Sequence, residues 1–198
     1  FAQLTGIAAM SMGALTACGP AAQTDQTAGS APAEGTAQAG AEFAADGKLR
    51  VGMEVAYAPF NWQVSAATND TIPVDNVDGA FADGYDVYIS KIVAEALGYE
   101  AVAVKLSWDG LIDAVNNGQI DIICAGMTAT DERRQSIDFT EPYYSDGFSL
   151  VVRADGNYAK ATSLPDFTGA AVMGQQGTLY DDVIEQIPQV NHLTPRPN

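Results

Sequence analysis

Residues 107–134 read SWDGLIDAVNNGQIDIICAGMTATDERR. Leu111, Ile112 and Val115 stand at helical spacing and Gly118 follows them, which predicts a short helix over 107–118 with those three side chains inward. IDIICAGM (120–127) is almost wholly apolar, as a strand buried on both faces requires. Upstream, KLRVGM (48–53) and EAVAVK (100–105) predict two more strands. Between them DVYISKIVAEALG (86–98) predicts a helix, with Asp86 as N-cap, Ile89, Val93 and Leu97 on one face, and Gly98 at its stop. Strand, helix, strand repetition of this kind predicts an α/β fold with a parallel sheet covered on both faces. Cys124, inside the third strand, reads as a small buried hydrophobe.

Composition removes several functions. Among 198 residues, 9 Lys plus Arg stand against 25 Asp plus Glu, a formal charge of −16. Nucleic acid is excluded as a partner, because a basic face is needed to displace counterions from phosphates. A hydrophobic content of 47% excludes wholesale disorder. The two cysteines, Cys18 and Cys124, lie in unlike surroundings, so no disulfide framework is suggested. His192, the single histidine, has no Cys or Asp at ligand spacing, and neither a metal nor a cofactor is expected.

FAQLTGIAAMSMGALTAC (1–18) is mildly apolar and uncharged, too short and weak to span a membrane but suited to the apolar part of an export signal. The chain opens on Phe without a basic flank, so residues 1–17 are expected to be the remnant of a signal peptide. LTAC (15–18) resembles the lipobox of bacterial lipoproteins, which implies a lipidated Cys18. A plain signal peptide, or a buried helix with an incidental cysteine, are the other readings. The following GPAAQTDQTAGSAPAEGTAQAGAEFAADG (19–47) is poor in large apolar side chains and cannot offset its ordering entropy, which predicts a flexible linker over 18–47.

The third strand is expected to end near Ala125, and a new helix to start near Thr130 or Asp131. Ligands of open parallel sheets collect at such carboxyl ends, where helix starts offer unsatisfied N–H groups. Gly126 would let a ligand approach the backbone. Thr128 and Arg133 would converge on one anionic group, and the planar guanidinium suits a carboxylate through two parallel hydrogen bonds. Alternatively, Arg133 pairs with Asp131, Glu132 or Asp138 on a solvated face. Arg134, its neighbour, points elsewhere and reads as surface. Pro142 stops any helix, Tyr143 and Tyr144 pack near a hinge, and GFSLVVR (147–153) alternates into a predicted crossing strand.

YAPF (57–60), GYDVYISKIVAEALG (84–98) and WDGLIDAVNNGQIDIICAGMTATDERRQSIDFTEPYY (108–144), in that order, resemble the family 3 extracellular solute-binding proteins, the amino-acid receptors of ABC importers. The likeness runs from about Leu49 to Tyr180. It implies a two-lobe, type II periplasmic-binding-protein fold that closes on one amino acid, with residues 48–146 as the first lobe and 147–198 as a hinge strand and part of the second. It further implies that Arg133 grips the ligand α-carboxylate with Thr128 and the backbone near Gly126. Trp108 and Tyr57 would form aromatic walls, and Glu54 would face the side-chain end of the ligand. In GQQGTLY (174–180), Gly177, Thr178 and Leu179 would supply backbone donors and Gln175 its side chain. The bland alternatives are that Trp108 and Tyr57 are core aromatics, against which stands their place at strand ends beside loops, and that Glu54 is a solvated charge.

In that family the second lobe holds further strand and helix units, an acidic residue for the α-amino group and a return strand. The sequence ends at NHLTPRPN (191–198), so an incomplete second lobe with exposed sheet edges is expected. The resemblance implies a monomer that binds a polar or cationic amino acid, held by its lipid at the outer face of the cytoplasmic membrane or free in the periplasm, with a membrane permease as partner. No catalytic residue is assigned. The same fold also hosts cyclohexadienyl dehydratases, domains beside lytic transglycosylases and ligand sensors, so an enzyme or a receptor domain stays open as an alternative.

Overall fold

A computed structural model describes residues 44–197. The signal remnant, Cys18 and the linker up to residue 43 lie outside the described residues. Residues 44–47, at the end of that stretch, form a turn with Ala44 buried.

In chain order the strands and helices are β1 (Lys48–Met53), β2 (Ala56–Tyr57), β3 (Asn61–Val64), β4 (Ile72–Pro73), β5 (Phe81–Asp83), α1 (Tyr85–Leu97), β6 (Glu100–Lys105), α2 (Leu111–Asn116), β7 (Ile122–Ile123), β8 (Ala171–Val172), α3 (Leu179–Asp182) and β9 (Asn191–His192). β1 is the centre of a parallel sheet ordered β6-β1-β7. It runs beside β6 from Lys48 opposite Glu100 to Met53 opposite Lys105, and beside β7 at Val51 and Gly52. The helix α1 packs on β6 and β1, and α2 on β1 and β7. Leu49, Met53, Leu111 and Ile120 are fully buried between these layers. Each such side chain contributes roughly 2 kcal/mol through the apolar surface it removes from water.

Several elements differ from expectation. A four-stranded antiparallel sheet, β2-β3-β5-β4, stands beside the parallel one, and the sequence reading did not foresee it. The helix α1 is capped by Gly84, not Asp86. The amide of Asp86 donates to the carbonyl of Phe60 at 2.8 Å, and the antiparallel sheet over the helix start turns its carboxylate into the core. The buried face of α1 consequently carries Asp86, Val87, Ser90 and Ala94, while Leu97 is 53% exposed. In α2 the buried positions are Leu111 and Ala114, with Ile112 and Val115 only partly covered. The third strand shrinks to Ile122–Ile123.

The expected helix after Thr130 is a single 3-10 turn, Arg133–Gln135. The amides of Ser136 and Ile137 both close on the carbonyl of Arg133, which ends it. Residues 147–153 form no strand. Alternation gives a segment the shape of a strand, but only a neighbouring strand can take up its backbone groups, and the ladders among the described residues do not include this one. Val151 is 98% exposed. Beyond it, Phe167, Ala170 and Ile187 form a second small core beneath the two-residue parallel pair β8-β9.

Candidate functional site

Three loops at the carboxyl ends of the parallel strands meet in one cleft. The chain leaving β1 supplies Glu54 and Tyr57, the turn after β6 supplies Trp108, and the loop after β7 supplies Ala125, Gly126, Thr128 and Arg133. Facing them are Phe148 and, from the turn between β8 and α3, Gln175, Thr178, Leu179 and Tyr180. Every site residue expected from the sequence lines this cleft except Gly177, which meets it through its carbonyl oxygen.

Arg133 is half-buried, and among the described residues no carboxylate lies within ion-pair distance of it. The alternative pairing with Asp131, Glu132 or Asp138 is therefore not the one adopted. Its Nη1 donates to the carbonyl of Thr128 at 2.9 Å and its Nη2 to the carbonyl of Gly177 at 3.1 Å. The guanidinium stands 5.4 Å from the centre of the Trp108 ring, a cation–π distance. Burial pulls its pKa below the ordinary arginine value, while Asp182 and Glu132 act the other way; arginine stays charged throughout. The Thr130 side chain holds the turn in place, since its Oγ1 accepts from the amide of Arg133 at 3.1 Å. Arg134 lies outside the cleft over Phe139.

Trp108 is partly buried against the main core and also lines the cleft, where its indole N–H donates to the carbonyl of Gly177 at 2.8 Å. Tyr57 stacks on Phe60 and its hydroxyl lies 2.8 Å from that of Tyr180. Burial raises the pKa of Tyr57 above its ordinary value, with the Tyr180 hydrogen bond adding to this. Glu54 is 7% exposed, not a solvated charge. Burial is also the main reason its pKa is raised; the hydrogen bond from Gln175 Nε2 at 3.2 Å opposes that, and the charge of Asp109 adds to it.

The 174–180 turn departs from expectation in one respect. Thr178 caps α3, but the helix is only four residues long, and the Gly177 group facing Arg133 and Trp108 is an acceptor rather than an N–H donor. Thr178 is 3% exposed and its hydroxyl donates to the carbonyl of Gln175 at 2.8 Å. Phe148 and Tyr180, which the sequence reading did not assign to the site, meet edge to face at 5.6 Å. Tyr180 sits in the quoted GQQGTLY, where an aromatic on the first turn of a helix was the available signal. Among the described residues no group of His, Cys, Asp and Glu is arranged to hold a metal ion.

The sequence model of the bacterial extracellular solute-binding proteins, family 3, matches residues 49–189. A probable histidine-binding protein of Campylobacter jejuni is 34% identical over 139 residues, 70% of this chain and 48% of the relative. An L-arginine-binding protein of Pseudomonas aeruginosa is 37% identical over 111 residues, 56% of this chain and 38% of the relative. The chain thus spans half or less of the length of these two curated relatives. The crystal structure of an ancestral amino-acid-binding protein, a precursor of cyclohexadienyl dehydratase, matches with a TM-score of 0.61 and 32% identity, over 75% of this chain and 61% of that one. The α/β architecture is that of the type II periplasmic binding proteins. By its sequence match and its fold together, the chain belongs to the bacterial extracellular solute-binding proteins, family 3.

Proposed function

We propose that this protein captures a free amino acid with a polar or cationic side chain outside the cytoplasm and delivers it to an ABC-type permease. The observation that carries the reading is Arg133, a half-buried guanidinium with no carboxylate partner among the described residues, resting on Trp108 in a cleft lined by two parts of the chain. Such a group favours an anion that offers two oxygens in a plane, and the α-carboxylate of an amino acid does so. In this reading the carboxylate takes Arg133 donors that now serve backbone carbonyls. Glu54, on the loop after β1, with the faces of Trp108 and Tyr57, suits a cationic side chain. Relatives named for arginine and histidine lend support to this choice.

Residues 48–146 form one lobe of the trap in this account, and 147–198 begin the second. Contacts to the ligand from both favour the closed arrangement by their differential affinity. No bond is made or broken. Lipidation of Cys18 would keep the monomeric receptor at the membrane, which Cys18→Ser should release into the soluble fraction. The decisive measurement is calorimetric titration of the full-length protein with arginine, lysine, histidine, glutamine, glutamate and cystine. Arg133→Ala should abolish binding of every ligand that the unaltered protein holds. Unchanged affinity in that variant would refute the carboxylate assignment.

A further inference from the structure

Next to the cleft runs a chain of hydrogen-bonded polar groups, of which Asn61 and Asp86 are fully buried and Tyr143 is half-buried. Asp86 is fully buried, and both its carboxylate oxygens are engaged. Oδ2 accepts from Asn61 Nδ2 at 2.8 Å and Oδ1 accepts from the Tyr143 hydroxyl at 2.7 Å. Each partner then passes the connection to a backbone amide. Asn61 Oδ1 accepts from the N–H of Val55 at 2.9 Å, and the Tyr143 hydroxyl accepts from the N–H of Gly126 at 3.3 Å.

Those two amides belong to the two first-lobe loops that carry Glu54 with Tyr57, and Thr128 with Arg133. Both loops turn through left-handed backbone, Val55 at φ 54° and Gly126 at φ 64°. For a β-branched residue such as Val55 that conformation is strained and persists only where its surroundings hold it. The Asn61 hydrogen bond supplies such a hold. Gly126 tolerates its φ, and a Cβ there would stand 3.3 Å from Cε1 of Tyr57, so the two loops also touch each other. One carboxylate thus governs both halves of the first-lobe wall. A buried carboxylate is costly unless it is fully hydrogen-bonded. Replacing buried hydrogen-bonded partners by apolar groups of the same shape is often near neutral, so stability alone does not require this network.

We propose that Asp86, acting through Asn61 and Tyr143, is a positioning residue for ligand capture, setting the two first-lobe loops at their binding spacing before any ligand arrives. This rests on the amino-acid-binding reading above, and none of the three side chains lines the cleft around Arg133. The Tyr143 arm holds the loop of Thr128 and Arg133, which meets the carboxylate common to every amino acid, so its loss should weaken all ligands by a common factor.

The test uses the full-length protein and two readouts, calorimetric affinity for arginine and glutamine and the melting temperature without ligand. Tyr143→Phe keeps the ring and removes the hydroxyl that links Asp86 to Gly126. It should weaken both ligands equally, by about tenfold, and speed hydrogen exchange at the Gly126 amide. Asn61→Ser shortens the other arm, which holds the loop of Glu54; it should speed exchange at Val55 and weaken arginine more than glutamine. The control is Asp166→Ala, which removes the capping box at Ser163 and Asp166, away from the cleft. It should lower the melting temperature and leave affinity unchanged.

The proposal is overturned if Tyr143→Phe lowers the melting temperature as the control does but leaves affinity and Gly126 exchange untouched. It is equally overturned if arginine and glutamine lose affinity by very different factors in Tyr143→Phe. An unaltered protein that binds no amino acid would bring down the functional reading and this inference with it. Binding that Arg133→Ala abolishes and Tyr143→Phe leaves intact would bring down this inference alone.

Discussion

The indole N–H of Trp108 and the guanidinium of Arg133 share one acceptor, the carbonyl oxygen of Gly177, at 2.8 and 3.1 Å. Trp108 and Gly177 are 69 positions apart, so this oxygen ties the segment after β8 to the mouth of the parallel sheet. Trp108→Phe keeps the aromatic wall and deletes the donor. A neutral hydrogen bond contributes roughly 1 kcal/mol, so amino-acid affinity should fall about fivefold. Trp108→Ala, which also removes the ring beneath Arg133, should cost more. Titration calorimetry of the two variants checks the order.

Gly177 itself leaves little room for a side chain. Its φ is +69°, and a Cβ would lie 2.8 Å from Asp109 Oδ1. Gly177→Ala should therefore weaken binding through two separable causes, left-handed backbone at about 1 kcal/mol and the clash with Asp109. Adding Asp109→Ala should recover the clash and leave the backbone penalty. A double-mutant cycle on affinity measures both, and full recovery would show that φ does not matter at this position.

His192 bridges Asp181 and Glu185, with Nε2 and Nδ1 each 2.8 Å from a carboxylate oxygen. The bond to Asp181 first, then that to Glu185, raises its pKa above 6.5. A raised pKa means that the folded state binds more protons between the unfolded and folded values. The contribution to stability is complete below about pH 6.5 and is lost as pH rises through the folded value. The urea midpoint should accordingly fall as pH rises from about 6.5 through the folded value, and His192→Gln should flatten that slope. An identical slope in the variant would assign the pH dependence to other groups.

Legibility in the sequence followed the range of the interactions. β1 and β6 have the boundaries that KLRVGM and EAVAVK predict, because apolar runs flanked by polar turns report burial locally. For Arg133 the residues alone left a solvated ion pair equally open, and it was the family resemblance that put it in the cleft, whose lining it joins. Asp86 was not legible, since an Asp at a helix start reads as a cap, and only Asn61 and Tyr143, 25 and 57 positions away, make it a buried hub. The antiparallel sheet was missed because its strands are two to four residues long, too short for a period to register. Residues 147–153 alternate as a strand should, yet pairing is a property of the neighbour and not of the segment.

Glu54 gives the sharpest test of ligand class. Burial, more than any other influence, raises its pKa above the ordinary glutamate value of 4.5; Gln175 opposes this and Asp109 adds to it. Without ligand, Glu54 therefore takes up a proton earlier, as pH falls, than a free glutamate would. A cationic side chain beside it favours the ionised form and draws the pKa back down. Between the two values, binding of arginine must release a proton, so arginine affinity should drop on acidification at a pH above 4.5. Glutamine carries no side-chain charge, and its affinity should respond far less. Glu54→Gln should flatten the arginine profile and cost roughly 2 kcal/mol of arginine binding at neutral pH, the scale of a hydrogen bond to a charged group. Calorimetry of both ligands between pH 4.5 and 7.5, in buffers of differing ionisation enthalpy, counts the protons directly. Parallel pH profiles for arginine and glutamine in the unaltered protein would remove Glu54 from the side-chain end of the cleft.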